Sequence, residues 1–307
     1  MRVHPRLALS LLLLSLTLGR LATCSPAAGP TVEAVPQTAA APAPALPNRD
    51  DSLKFAVLGD FGNGSREQRE LAEQMASLHA RFPFELVITV GDNVYGSENP
   101  RSYRQKFEEP YKPLLDAGVK FHASLGNHDD RELQRHYELF NMGGEYYYTF
   151  KAPRQDVRFF ALETSYMDVR HIAWLEKELT NAGERWKIPY FHHPIYSSGR
   201  RHGSDAGLRR ILEPLFLKHD VSVVFAGHDH FYERTTPQNG IVHFVVGSGG
   251  ELRRGNINRN TGLTASGFDS DQAFLAVEID GDEMFFNAIS RTGAVVDAGV
   301  IRRIQPQ

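Results

Sequence analysis

The 307-residue chain has a single cysteine, Cys24. No disulfide can close within it, and no cysteine-ligated metal site can form in a folded body downstream. It also lacks an excess of either charge: 34 Lys and Arg stand against 37 Asp and Glu. A nucleic-acid backbone calls for a basic face, so no nucleic-acid-binding surface is expected, although a local basic pocket is compatible with this balance. Long apolar runs are scarce as well. The longest, Leu7 to Leu18, is about a dozen residues, too short for a membrane-spanning helix.

That run follows a basic start, Met1-Arg2-Val3-His4-Pro5-Arg6, and precedes small residues up to Cys24, the pattern of a secretory leader over residues 1–24. Leu21-Ala22-Thr23-Cys24 also resembles a lipoprotein box, with Thr23 and Arg20 as departures from it. Lipidation of Cys24 would be the one route to membrane attachment. The expectation is an exported protein: periplasmic, extracellular or lipid-anchored. Residues 25–50 are rich in Ala and Pro without periodicity, a composition that cannot bury a core and reads as a tether. A catalytic domain is expected over 51–304.

With 41% hydrophobic and 10% aromatic residues, the rest can fill a core. Leu53 to Leu58 and Leu86 to Val90 read as buried strands. Between them Ser65-Arg66-Glu67-Gln68 has capping-box spacing and opens a helix to about Arg81. Further strands are expected at Phe121 to Leu125, Tyr146 to Phe150, Val157 to Leu162, Lys187 to Phe191 and Val221 to Ala226, with helices over His171 to Leu179 and Leu208 to Lys218. The tail, Ile241 to Val246, Ala273 to Ile279, Met284 to Ala288 and Ala294 to Ile301, is strand-like and suggests a second sheet. The fold class is α/β: two facing mixed sheets with flanking helices, a four-layer α/β/β/α sandwich.

Five of these strands stop in polar motifs: Gly59-Asp60-Phe61-Gly62, Gly91-Asp92-Asn93-Val94-Tyr95, Gly126-Asn127-His128-Asp129, His192-His193-Pro194 and Gly227-His228-Asp229-His230. Ligand sites collect at the carboxyl ends of such strands. A pair of first-row metals needs anionic oxygens and neutral imidazoles converging from several loops, with one carboxylate able to bridge.

The set resembles the calcineurin-like metallophosphoesterases and, among them, the purple acid phosphatases in their compact single-domain form. Many phosphoesterases of the superfamily carry a histidine two residues after the first aspartate; this chain has Gly62 there and offers Tyr95 instead, the exchange that marks the purple type. The resemblance implies that Asp60, Tyr95 and His230 bind one metal, that Asn127, His192 and His228 bind the other, and that Asp92 bridges them. It implies a binuclear centre of Fe(III) with Zn, Mn or Fe as the divalent partner. The activity implied is hydrolysis of small phosphomonoesters by direct attack of a metal-bound hydroxide, on the acid side of neutrality. His128 and His202 would stabilise or protonate the leaving group. No obligate protein partner follows from it. A phosphodiesterase or a nucleotide or pyrophosphate hydrolase would use the same metals, and a surface-tethered, non-catalytic metal- or phosphate-binding protein is the rival from another class.

His193 is expected on the far face of its strand end, as a packing or supporting group. Ser197 to Arg201 reads as a flexible basic loop, its arginines either facing a phosphate or simply solvated. Gly247-Ser248-Gly249-Gly250 lacks the lysine of a nucleotide loop and reads as a turn beside the site. His79, His122, His136, His171, His219 and His243 have no motif around them and read as structural.

Overall fold

The computed structural model describes residues 46–304. The leader, Cys24 and most of the tether lie outside the described residues. Among these, no helix is long and apolar enough to cross a membrane.

Strand β1 (Leu53–Leu58) leads through helix α1 (Arg66–His79) to β2 (Leu86–Val90). Ser65 caps α1, its hydroxyl accepting from the Gln68 backbone N–H at 3.1 Å. Gln68 reaches back to Gly64 N rather than to Ser65 N, which Asn63 Oδ1 serves instead. Two short helices, α2 (Pro100–Tyr103) and α3 (Lys112–Asp116), bracket a π-helical turn and precede β3 (Lys120–Ser124). After α4 (Arg131–Gln134) come the hairpin β4 (Tyr148–Lys151) and β5 (Val157–Ala161), helix α5 (Val169–Asn181), β6 (Trp186–Tyr190), α6 (Ala206–Lys218) and β7 (Val223–Ala226). The tail adds β8 (Tyr232–Thr235), β9 (Val242–Val246), β10 (Thr264–Phe268), β11 (Ala273–Asp280), β12 (Glu283–Ser290) and β13 (Val295–Arg302).

Two mixed sheets result, ordered β13-β12-β11-β1-β2-β3 and β10-β8-β9-β7-β6-β5-β4. The tail strands do not make a sheet of their own. β11 pairs antiparallel with β1, Leu53 opposite Ile279, so β11 to β13 widen the first sheet, whereas β8 to β10 extend the second. In β1 the period of two decides which face each side chain joins. Phe55 and Val57 enter the core between the sheets, while Ala56 and Leu58 join Leu71, Met75 and Leu78 of α1 on the outer face. On the other side α5 and α6 cover the second sheet with Leu175, Leu179, Leu212 and Phe216. The layering is α/β/β/α. Phe55 meets Phe159 and Phe225 edge-on across the sheets, at 5.2 and 6.1 Å; burying one such ring contributes about 1.5–3 kcal/mol.

Residues 46–50, which composition places in the tether, are fastened to the body. Leu46 packs against the α1 layer. The backbone N–H groups of Asn48 and Arg49 donate to the Glu278 carboxylate at 2.6 and 2.7 Å.

Candidate metal centre

β1, β2 and β3 run parallel in one sheet, and β6 and β7 run parallel in the other. The loops that follow their carboxyl ends converge, and all seven predicted ligands meet there. Asp60, Asp92 and His230 each bring one ligating atom within 4.8 Å of the others'. The Tyr95 hydroxyl closes this group, 3.0 Å from Asp92 Oδ2, 3.3 Å from Asp60 Oδ1 and 3.4 Å from His230 Nε2. Beside it, His192 Nε2 lies 3.0 Å from Asn127 Oδ1, 3.1 Å from His228 Nδ1 and 3.5 Å from Asp92 Oδ1. Asp92 thus touches both halves.

Local backbone makes this convergence possible. Asp60, Asp92 and His228 have φ of 52°, 51° and 68°, the left-handed region that L-residues avoid and that functional sites tolerate. Gly227 has no alternative: a Cβ there would sit 2.5 Å from Asp60 Oδ2. At Gly62 the position of the absent histidine is filled by main chain, since a Cβ would fall 1.9 Å from the Asn93 carbonyl oxygen. Tyr95 N donates to Gly62 O at 2.9 Å, which ties the tyrosine's segment to that same glycine.

The donor set fits a pair of cations. Burial and the adjacent Asp92 carboxylate push the Asp60 carboxyl well above the usual range, and burial raises Asp92. Among the described residues neither is paired with a lysine or arginine. Burial and then the neighbouring imidazoles keep His192 far below its usual value and bring His228 down to about 2, so both are neutral and able to ligate. The tautomer of His192 is set: its Nδ1 faces the Val90 carbonyl at 2.9 Å and must carry the proton. Nε2 then points a lone pair at the oxygens of Asn127 and Asp92, acceptors facing acceptors, an arrangement that a cation between them resolves.

His128 and His202 flank the cluster and are exposed. The His128 backbone N–H donates to Asp92 Oδ1 at 2.9 Å, and its ring centroid is 5.1 Å from that of Tyr95. The His202 ring is 4.2 Å from the His228 ring. Its loop is held at several points rather than flexible: Asp229 Oδ2 accepts from the Ser197 hydroxyl at 2.6 Å and from Gly203 N at 3.0 Å, and Ser198 N donates to Glu233 at 2.8 Å. Arg200 and Arg201 remain exposed.

His193 departs from expectation. Its ring lies 4.5 Å from that of His228 and 4.9 Å from that of His192, and a ring nitrogen joins theirs within 4.8 Å. β6 ends at Tyr190, so strand alternation no longer governs residues 192 and 193. Three further residues carry weaker signals. Asp129, inside the third motif, accepts from Asn93 N at 2.7 Å and Gly126 N at 2.8 Å and so ties two ligand loops together. Asp229, inside the fifth, anchors the His202 loop. Arg253 has no motif: its backbone N–H donates to His230 O at 2.9 Å, and its Nη1 is buried without a hydrogen-bond partner among the described residues. After burial, the Arg253 charge is the largest influence lowering His230, and it also lowers His202. The 247–250 turn abuts the site, with Gly250 N donating to the Asp60 carbonyl at 3.0 Å. Of the six histidines read as structural, His122 stacks on Phe150 and His171 on Tyr147.

A family model for calcineurin-like phosphoesterases matches residues 53–232. Purple acid phosphatase 4 of Arabidopsis thaliana is 27% identical over 274 residues, 78% of this chain and 80% of that protein. Among solved structures, the inner-membrane-complex anchor GAP50 of Plasmodium superposes with a TM-score of 0.71 at 20% identity, covering 83% of this chain and 90% of that one. A purple acid phosphatase from yellow lupin (Lupinus luteus) seeds gives 0.68 at 19%, covering 85% of this chain and 55% of that one. The chain belongs to the calcineurin-like phosphoesterase family, and within it resembles the purple acid phosphatases.

Proposed function

We propose that this protein is a binuclear metal-dependent phosphatase that hydrolyses phosphomonoesters on the acid side of neutrality. The observation that carries this reading is the facing of acceptors around Asp92. The carboxylates of Asp60 and Asp92, the phenol of Tyr95 and the neutral imidazoles meet, and among the described residues no lysine or arginine pairs with either carboxylate. Asp60, Tyr95 and His230 would hold the harder ion, Asn127, His192 and His228 the divalent one, with Asp92 shared. Held there, the cation pair supplies an acidified water and positive charge for the phosphate oxygens.

The chain's own groups supply the rest. His192, locked by Val90, keeps its lone pair aimed inward. His128 and His202 stand at the solvent side of the cluster, where an imidazole can donate to a phosphate oxygen or to the departing alkoxide. Arg253 offers fixed charge and an unsatisfied donor near His230 for a second phosphate oxygen. Export through the 1–24 leader and attachment through Cys24 belong to the same proposal and rest on sequence pattern.

Parallel assays of the iron- and zinc-loaded protein against p-nitrophenyl phosphate, bis-p-nitrophenyl phosphate and ATP test the reading. Turnover of the monoester well above the other two, greatest below pH 7, is the expected outcome. A preference for the diester or for ATP moves the assignment to those classes. Binding of phosphate without release from any ester identifies a non-catalytic binding protein.

A further inference from the structure

Two clefts flank the candidate metal centre, and they differ in chemistry. One, of about 460 Å³, includes Arg201, His202 and His228 in its walls. The other, of about 360 Å³, is lined by Asn127, Thr164, Ser165, Tyr166, His193 and Asp205, and among the described residues no lysine or arginine lines it. Its volume lies in the range of small-ligand pockets, about 300–1,000 Å³. Asn127 in its wall places it directly beside the metal ligands.

This second cleft is built rather than incidental. Glu163, 2% exposed, accepts from Ser165 N at 2.7 Å and from Tyr166 N at 3.0 Å, fixing the loop after β5. Tyr166 is held outward, 68% exposed, with the Arg131 guanidinium 4.7 Å from its ring centroid. Arg131 also lies over Tyr146 at 4.0 Å and 3.7 Å from Glu163, so an exposed aromatic face is pre-organised. The Ser165 hydroxyl is buried beside the Glu163 carboxylate, to which it is a neighbouring donor. Asp205 caps α6 through Oδ1, accepting from Gly207 N and Leu208 N at 2.8 and 2.9 Å; Oδ2 takes no part in that cap. His193 and Asp205 form the wall shared with the basic cleft, and His193 is pinned by Thr164, whose hydroxyl accepts from His193 N at 3.2 Å and lies 2.9 Å from Nδ1.

Resting on the phosphatase reading above, we propose that this cleft receives the leaving group, and that the preferred substrates are phosphomonoesters of polyhydroxylated alcohols, sugar or polyol phosphates. A carboxylate oxygen, hydroxyls and an aromatic face are the groups that recognise a ring of C–H and O–H bonds. The phosphate faces the side of Arg201, His202 and Arg253. Asp205 borders both clefts, but Arg201 offsets it only on the phosphate side; a leaving group that is itself anionic, such as the diphosphate of ATP, meets the carboxylate without that offset and is disfavoured by like charge. Hydrolysis consumes one water, breaks the ester P–O bond, and would release the alcohol into this cleft and inorganic phosphate on the side of Arg201 and His202.

The experiment compares kcat/KM of the metal-loaded enzyme for glucose 6-phosphate, methyl phosphate and ATP. The wild type should favour glucose 6-phosphate over both. Tyr166→Ala and Ser165→Ala should each lower the ratio of glucose 6-phosphate to methyl phosphate, the former by about tenfold. Asp205→Asn, which keeps the helix cap, should raise ATP relative to glucose 6-phosphate by about tenfold. Equal effects on all substrates, or no preference in the wild type, would overturn the cleft assignment while leaving the phosphatase reading intact. If no ester is hydrolysed, the phosphatase reading fails; saturation-transfer NMR with glucose and phosphate then decides the cleft, a signal lost in Tyr166→Ala supporting it and its absence from the wild type overturning it.

Discussion

The Tyr95 hydroxyl donates to Asp92 Oδ2 at 3.0 Å. Burial, then the charges of Asp60 and Asp92, raise the phenol above its usual value, so it stays protonated unless a strongly charged cation reverses the balance. Iron-loaded protein should therefore show a visible tyrosinate-to-iron band, and Tyr95→Phe should remove it and lower kcat by at least about tenfold. A colourless, iron-free protein with full activity would contradict the purple-type assignment.

Asp129 ties the β2 and β3 ends through bonds to Asn93 N, Val94 N and Gly126 N. Asp129→Ala leaves these donors without their acceptor and should cost about 3–5 kcal/mol. It should also loosen Asp92 and Asn127, so metal affinity falls with stability. Thermal unfolding with and without added zinc separates the two: an unchanged metal-induced shift in Tm would limit Asp129 to the fold.

His243 and His171 are 3% and 1% exposed, and burial lowers them to about 3 and about 4 from 6.5. For each, the unfolded chain takes up a proton as pH falls below 6.5 while the folded chain resists. Stability from these groups is therefore intact above pH 6.5, declines as pH drops toward 4, and levels off below the folded values. Each tenfold difference in proton affinity between the folded and unfolded chain is worth about 1.4 kcal/mol. His243 Nε2 has no hydrogen-bond partner among the described residues, and its ring packs 4.8 Å from that of Tyr196. His243→Phe should flatten the decline in metal-free protein. Urea unfolding from pH 7.5 to 4 measures it; parallel curves for variant and wild type would refute the claim.

Arg253→Gln removes the charge beside His230 and His202 while keeping a donor. Inhibition by inorganic phosphate should weaken about tenfold, with KM rising more than kcat falls. Arg253→Lys should recover part of the affinity. Unchanged phosphate inhibition in both variants would show that the guanidinium is only structural.

Much of this molecule is written locally. The runs Leu53 to Leu58 and Leu86 to Val90 read as strands because burial on both faces demands continuous apolar residues, and the ligand motifs follow directly from strand ends. β8 and β10 are not legible in the same way, because Tyr232–Thr235 holds two adjacent charges and Thr264–Phe268 is mostly small and polar; pairing makes them strands, β10 against β8 and β8 against β9. The split of the tail between two sheets depends on contacts such as Leu53 with Ile279, which no window of sequence contains. Strand alternation puts His193 on the wrong side because it is carried past the last residue of β6. Arg253 reaches the site through a backbone bond to His230 that only the folded chain reveals.

Gly62 carries a consequence for descent. The Asn93 carbonyl occupies the space where a side chain at 62 would begin, 1.9 Å from its Cβ. Gly62→His would not add a histidine ligand to the site; it would first displace the β2 loop that presents Asp92 and Tyr95. Exchanging the tyrosine ligand for a histidine in this chain would therefore need the main chain at Asn93 to move as well as the side chain at 62 to change.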